Sequence, residues 1–113
     1  MSHDRQAKLF RVLMHPTRLA ILEILRGGEQ CVCHLEAVLG QRQAYISQQL
    51  MVLREAGLIQ DRREGLRVYY RVTDASVYRV LEAARVCTGE GGTAERELAA
   101  CDCPKCNPAA VAA

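Results

Sequence analysis

No apolar run in this chain of 113 residues approaches the roughly 18 needed to span a bilayer. The opening Met-Ser-His-Asp-Arg-Gln lacks the apolar core of a secretory signal, so the expectation is a cytoplasmic protein with no membrane partner. The length leaves no room for a large α/β enzyme with its own cofactor domain. There is no Ser/His/Asp set, no glycine-rich phosphate loop and no pair of catalytic carboxylates, so an enzyme is not expected. Internal repeats are absent. Net charge is scarce too: +2, from 15 basic and 13 acidic residues, which alone gives no footprint for nucleic acid. Lysine occurs only at Lys8 and Lys105.

What is present is a folded composition, half hydrophobic and a quarter charged. Arginine supplies almost all the positive charge, and its planar fork donates in pairs to phosphate and guanine. Arg62, Arg63, Arg67 and Arg71 fall close together, a local patch in a nearly neutral chain. The six cysteines are spread unevenly: Cys31 and Cys33 form a pair, Cys87 is alone, and Cys101, Cys103 and Cys106 form a cluster. A disulfide framework would more often staple a whole secreted chain. Reduced thiols in this arrangement point to metal binding or redox chemistry.

Apolar spacing predicts a short helix over about 4–14, with Leu9, Phe10, Leu13 and Met14 recurring at helical intervals. Pro16 fits the first turn of a second helix, which runs to Arg26, is apolar on nearly all sides and is therefore central to a core. Val32, Leu35, Val38 and Leu39 mark a third helix that Gly40 can cap. A fourth, about 43–56, carries Ile46, Leu50 and Leu53 on one side and Gln43, Ser47, Gln48 and Gln49 on the other. Two short helices joined by a tight turn containing glycine form a helix-turn-helix. Leu58 to Arg63 and Leu66 to Val72 then read as two strands around a Glu64-Gly65 turn. Thr73 or Asp74 is placed to N-cap a last helix bearing Val77, Val80, Leu81, Ala84 and Cys87. The expected fold is mainly α with a β-hairpin wing: a winged helix-turn-helix domain over 1–90, followed by a flexible cysteine-rich tail over 91–113.

Five segments strengthen that expectation. His15-Pro16-Thr17-Arg18-Leu19-Ala20-Ile21-Leu22, Cys31-Val32-Cys33-His34-Leu35, Ile46-Ser47-Gln48-Gln49-Leu50, Leu53-Arg54-Glu55-Ala56-Gly57-Leu58-Ile59 and Gly65-Leu66-Arg67-Val68-Tyr69-Tyr70 together resemble the ArsR/SmtB family of bacterial metal-responsive repressors. The likeness covers residues from about 8 to 88. It implies a homodimer through the first and last helices, and the apolar stripes there exceed what one small core needs. A homodimer in turn implies a palindromic double-stranded operator, with half-sites about one helical turn apart. The second helix of the motif would enter the major groove. Gln43 and Gln48 can pair with adenine edges, Ser47 can reach a base or phosphate, and Tyr45 a sugar or thymine methyl. Arg63 and Arg67 would lie over phosphates or reach the minor groove.

The resemblance to the arsenic- and cadmium-sensing branch implies that Cys31 and Cys33 bind the inducer. Soft thiolates suit As(III), Cd(II), Pb(II), Cu(I) and Zn(II). On a regular helix, residues i and i+2 point about 200° apart. The pair can share an ion only if Cys31 precedes the helix or its first turn is distorted. That branch has a further cysteine where this chain has Glu36, so another ligand must come from elsewhere, and Cys101, Cys103 and Cys106 are the source expected. A separate site on those three is the alternative. The family's zinc site on the last helix maps onto Asp74, Ser76, Cys87 and Glu90, a poor set because serine is a poor zinc ligand. Cys87 is then an apolar-stripe residue or an auxiliary thiol, and His34 has a surface or capping role. The expected function is a repressor that leaves its operator when a thiophilic metal binds. The alternatives are a redox or persulfide sensor, given the Cys103-Pro104-Lys105-Cys106 spacing, and a metal-buffering protein.

Overall fold

The computed structural model describes residues 2–90, so Cys101, Cys103, Cys106 and the rest of the 91–113 segment lie outside the described residues. Helix α1 (Asp4–Leu13) has Asp4 in its first turn and Arg11 in its last, charges that complement the helix dipole. Helix α2 (Pro16–Leu25) begins with proline, whose missing N–H costs nothing there. Its N-cap is His15, whose Nδ1 accepts from the Thr17 backbone N–H at 3.2 Å. Helices α3 (Val32–Leu39) and α4 (Gln43–Glu55) are joined through Gly40, whose left-handed φ of 63° sends the chain into the tight turn. Helix α5 is Val77–Thr88.

Strands β1 (Gln30–Cys31), β2 (Ile59–Glu64) and β3 (Arg67–Val72) form one antiparallel sheet in the order β1-β3-β2. The sequence gives no warning of β1, because two residues are too few to show a period. The hairpin loop is Gly65-Leu66, with Glu64 paired to Arg67, one residue later than the expected Glu64-Gly65 turn. Gly65 has φ of 62° while no non-glycine residue among the described residues has a positive φ, the pattern of a type II′ hairpin.

The core joins Leu13 of α1, Ile21, Leu22 and Leu25 of α2, Leu35 of α3, Ile46, Leu50 and Leu53 of α4, Ile59 of β2, and Val77 and Leu81 of α5. Emptying one of its leucine sites to alanine costs about 2–5 kcal/mol. Two expectations about α5 are corrected. The residue that precedes its first turn is Ser76, which makes no side-chain cap bond, while the Asp74 carboxylate accepts from the Ser76 N–H at 2.9 Å in the turn leading into the helix. That bond holds the Asp74 carboxyl below its usual range. Cys87 is exposed on the single chain rather than buried in the stripe. The described residues contain no helix long and apolar enough to cross a membrane.

Candidate nucleic-acid interface and thiol site

Helix α4 presents Gln43, Ser47 and Gln48 to solvent, as the apolar spacing of Ile46, Leu50 and Leu53 requires. Gln49 departs from the expected polar face. It is buried, and its Oε1 accepts from Arg18 Nε at 2.9 Å. The same guanidinium donates to the Val12 carbonyl, so Arg18 ties α4 to the end of α1. Tyr45 is half-buried. Its ring packs on the core and its hydroxyl lies 3.3 Å from both His15 Nε2 and Thr17 Oγ1, turned toward α2 rather than outward. Because His15 Nδ1 is an acceptor, a neutral imidazole carries its proton on Nε2 and donates it to that hydroxyl.

The arginine patch is divided by the pleat of the hairpin. Residues opposite one another across antiparallel strands share a face. The register Arg62↔Tyr69 and Glu64↔Arg67 puts Arg62, Arg67 and Arg71 on one face, while Arg63↔Val68 puts Arg63 on the other. The structure therefore does not bring Arg63 and Arg67 to a common face. Arg62 is held by Glu29 at 2.6 Å and Glu64 at 2.7 Å, and its guanidinium lies 4.7 Å from the Tyr69 ring centroid. Those two carboxylates, Glu29 first, raise its pKa further above an already high value. Arg71 donates to Gln60 at 3.0 Å.

Arg67 reaches the thiols. Its Nη1 is 3.7 Å from Cys33 Sγ, a contact across 34 positions of sequence. Cys31 is the N-cap of α3, in extended conformation with ψ of 158°, and its sulfur accepts from the His34 N–H at 3.3 Å. It thus precedes the helix, the geometry that sharing an ion with Cys33 requires. Cys31 pairs across the sheet with Tyr69, and with Cys33 they form a second small cluster apart from the main core. His34 is buried rather than at the surface. Cys31, Val32, Cys33, Gln43, Leu66, Arg67 and Val68 line one cleft of about 140 Å³. Two expected thiol ligands and two expected DNA contacts meet there. Among the described residues no three His, Cys, Asp or Glu side chains converge to hold a metal ion. The donor set present fits two thiolate bonds to a soft ion, with any further ligand from outside the described residues.

A helix-turn-helix with a polar, solvent-facing second helix, flanked by an arginine-bearing hairpin, defines a winged helix-turn-helix protein. Residues 15–61 match the family described as "Bacterial regulatory protein, arsR family". The chain is 46% identical over 77 residues to the biofilm growth-associated repressor of Agrobacterium fabrum, covering 68% of this chain and 66% of that one. It is 45% identical over 74 residues to the arsenical resistance operon repressor of Escherichia coli, covering 65% and 63%. A solved homodimeric winged helix-turn-helix DNA-binding domain from Mycobacterium bovis superposes with a TM-score of 0.68 at 32% identity, covering 80% of this chain and 83% of that one. The chain belongs to the arsR family of bacterial regulatory proteins.

Proposed function

We propose that this chain is a homodimeric transcriptional repressor that binds a palindromic operator and leaves it when a thiophilic metal or metalloid engages Cys31 and Cys33. The observation that carries this reading is the shared cleft: Cys31 and Cys33 open onto the same space as Gln43 of α4 and Arg67 of the wing. A ligand there touches both elements that face DNA, and an effector shifts an equilibrium only by binding one state better than the other. Gln43, Ser47 and Gln48 read base edges, and Arg63 and Arg67 hold backbone on either side of the wing. Cys31 and Cys33 supply two ligands for As(III), Cd(II), Pb(II) or Zn(II), and one or two of Cys101, Cys103 and Cys106 complete the set. The arsenical-resistance relative supports this inducer class, and the homodimeric neighbour supports the two-subunit form.

Each ion is titrated, under reducing conditions, into a labelled complex with a duplex selected for binding from a random library. Release by at least one ion, with loss of release in Cys31→Ser and Cys33→Ser, is expected. A complex indifferent to all four ions overturns metal induction. Tail variants Cys101→Ser, Cys103→Ser and Cys106→Ser that respond like the wild type remove the tail from the site.

A second reading is favoured by the Arg67–Cys33 contact, since a guanidinium beside a sulfur attracts the reactive thiolate. In that reading an oxidant or persulfide links two thiols and releases DNA. The response then survives a metal chelator, which a metal response does not, and is reversed by dithiothreitol.

A further inference from the structure

Resting on the thiol-sensing reading above, we propose that Cys33 is a positioning residue for the wing. Its sulfur holds Arg67 in place for the operator, and a thiophile on the Cys31–Cys33 pair withdraws that hold, so the release signal travels through the wing.

Three observations converge on it. First, the wing arginines have different anchors. Arg62 is clamped by Glu29 and Glu64 and Arg71 is bonded to Gln60, and the contacts of Arg67 include a sulfur, 3.7 Å away. Second, the thiol pair and this face of the hairpin are built as one piece. Cys31↔Tyr69 pairing ties β1 to β3, Tyr69 is buried against Cys31, and Arg67 lies two residues nearer the hairpin tip on the same face. Third, Arg67 lines the cleft of about 140 Å³ that also holds both thiols. A bond from Cys33 Sγ to an ion competes with the contact that sulfur makes to Arg67. An ion and a further ligand entering that cleft displace the guanidinium, and the thiol protons leave as the sulfurs bind.

The consequence for DNA is specific. An arginine held before binding gives up less freedom on meeting a phosphate than one that must first be ordered. Releasing it removes one phosphate contact per subunit without unfolding α4.

Operator affinity is measured with and without saturating Cd(II), and separately arsenite, over a range of salt, for wild type, Arg67→Ala, Cys33→Ser and Cys33→Ala. The wild type is expected to weaken about 5–150-fold on saturation, and its salt slope to shrink by about 0.9 per subunit. Arg67→Ala starts weaker and falls less than about twofold further, with an unchanged slope. Without any ion, Cys33→Ala binds more weakly than Cys33→Ser, whose hydroxyl still accepts from Arg67, and this difference vanishes on the Arg67→Ala background. Arg67→Gln gives the same pattern should the alanine variant fold poorly. If Arg67→Ala loses affinity by the wild-type factor, the relay is wrong and thiol sensing stands. If neither ion moves the wild type, thiol sensing fails, and equal affinities for the two Cys33 variants sink the hold on Arg67 itself.

Discussion

Gln48 and Gln49 are neighbours on α4 with opposite fates, one exposed and one buried under Arg18. Helical spacing separates them, since Gln49 is three residues from Ile46 and four from Leu53, on the buried stripe; the partner that satisfies its amide lies 31 positions away. Tyr45 is half-buried, and the partners of its hydroxyl, His15 and Thr17, sit at the start of another helix. Residue-scale function follows the side chain's surroundings. Gln48→Ala should lose about 1–3 kcal/mol of discrimination at one base pair, read as relaxed preference across single-base operator variants. Tyr45→Phe should instead lower stability in urea by about 1 kcal/mol and weaken the operator complex less than Gln48→Ala does. An outcome in the reverse order would return Tyr45 to the DNA surface.

Elements were legible where periodicity was long. All five helices lie close to where apolar spacing puts them, and the turn of the helix-turn-helix falls at Gly40 as glycine's tolerance of positive φ demands. The sheet was legible only as a hairpin. Its third strand is two residues long, and its division of Arg63 from Arg67 depends on register, which no count of arginines contains. Helix α5 docks on α2 through Tyr78, whose hydroxyl donates to the Leu22 carbonyl at 2.6 Å, with Arg26–Glu82 and Arg85–Glu23 ion pairs alongside. Burial, with a smaller push from Glu23 against the pull of Arg26, raises the Tyr78 hydroxyl to about 12. A folded value above the unfolded value of about 10 means that this contribution is complete below about pH 10. It is lost as pH rises through about 12. Urea melts between those limits should show wild type losing stability more steeply than Tyr78→Phe. Parallel curves would mean that the hydroxyl ionises freely. At the hairpin, Gly65→Ala places a side chain at φ of 62° and should cost about 1–2 kcal/mol of stability.

For the whole molecule, the described chain leaves large apolar side chains outside its core. Phe10 of α1 is 50% exposed and Val86 of α5 is 82% exposed. The two helices that carry them are those expected at the subunit interface. Phe10→Glu combined with Val86→Glu should sediment as a monomer with an unchanged circular dichroism spectrum. Its operator affinity should fall about 10²–10⁴-fold, because the second half-site no longer binds at high effective concentration. A dimer surviving both changes would place the interface elsewhere. The expectation at this level rests on the family resemblance and on apolar stripes larger than one small core needs, since one chain's sequence does not say which stripe meets its own core.

Cys31 is 1% exposed and locked by a strand of two residues, whereas Cys33 is half-buried. On the proposed reading, an ion meets Cys33 first, and its bond to Cys31 would need β1 to part from β3. Rapid mixing with Cd(II) should show a fast phase proportional to concentration and a slower one that reaches a ceiling. A second phase rising without limit would mean that the strand does not gate the sulfur. With the ceiling, the protein times its stimulus, ignoring pulses shorter than the opening of β1 and answering only an exposure that lasts.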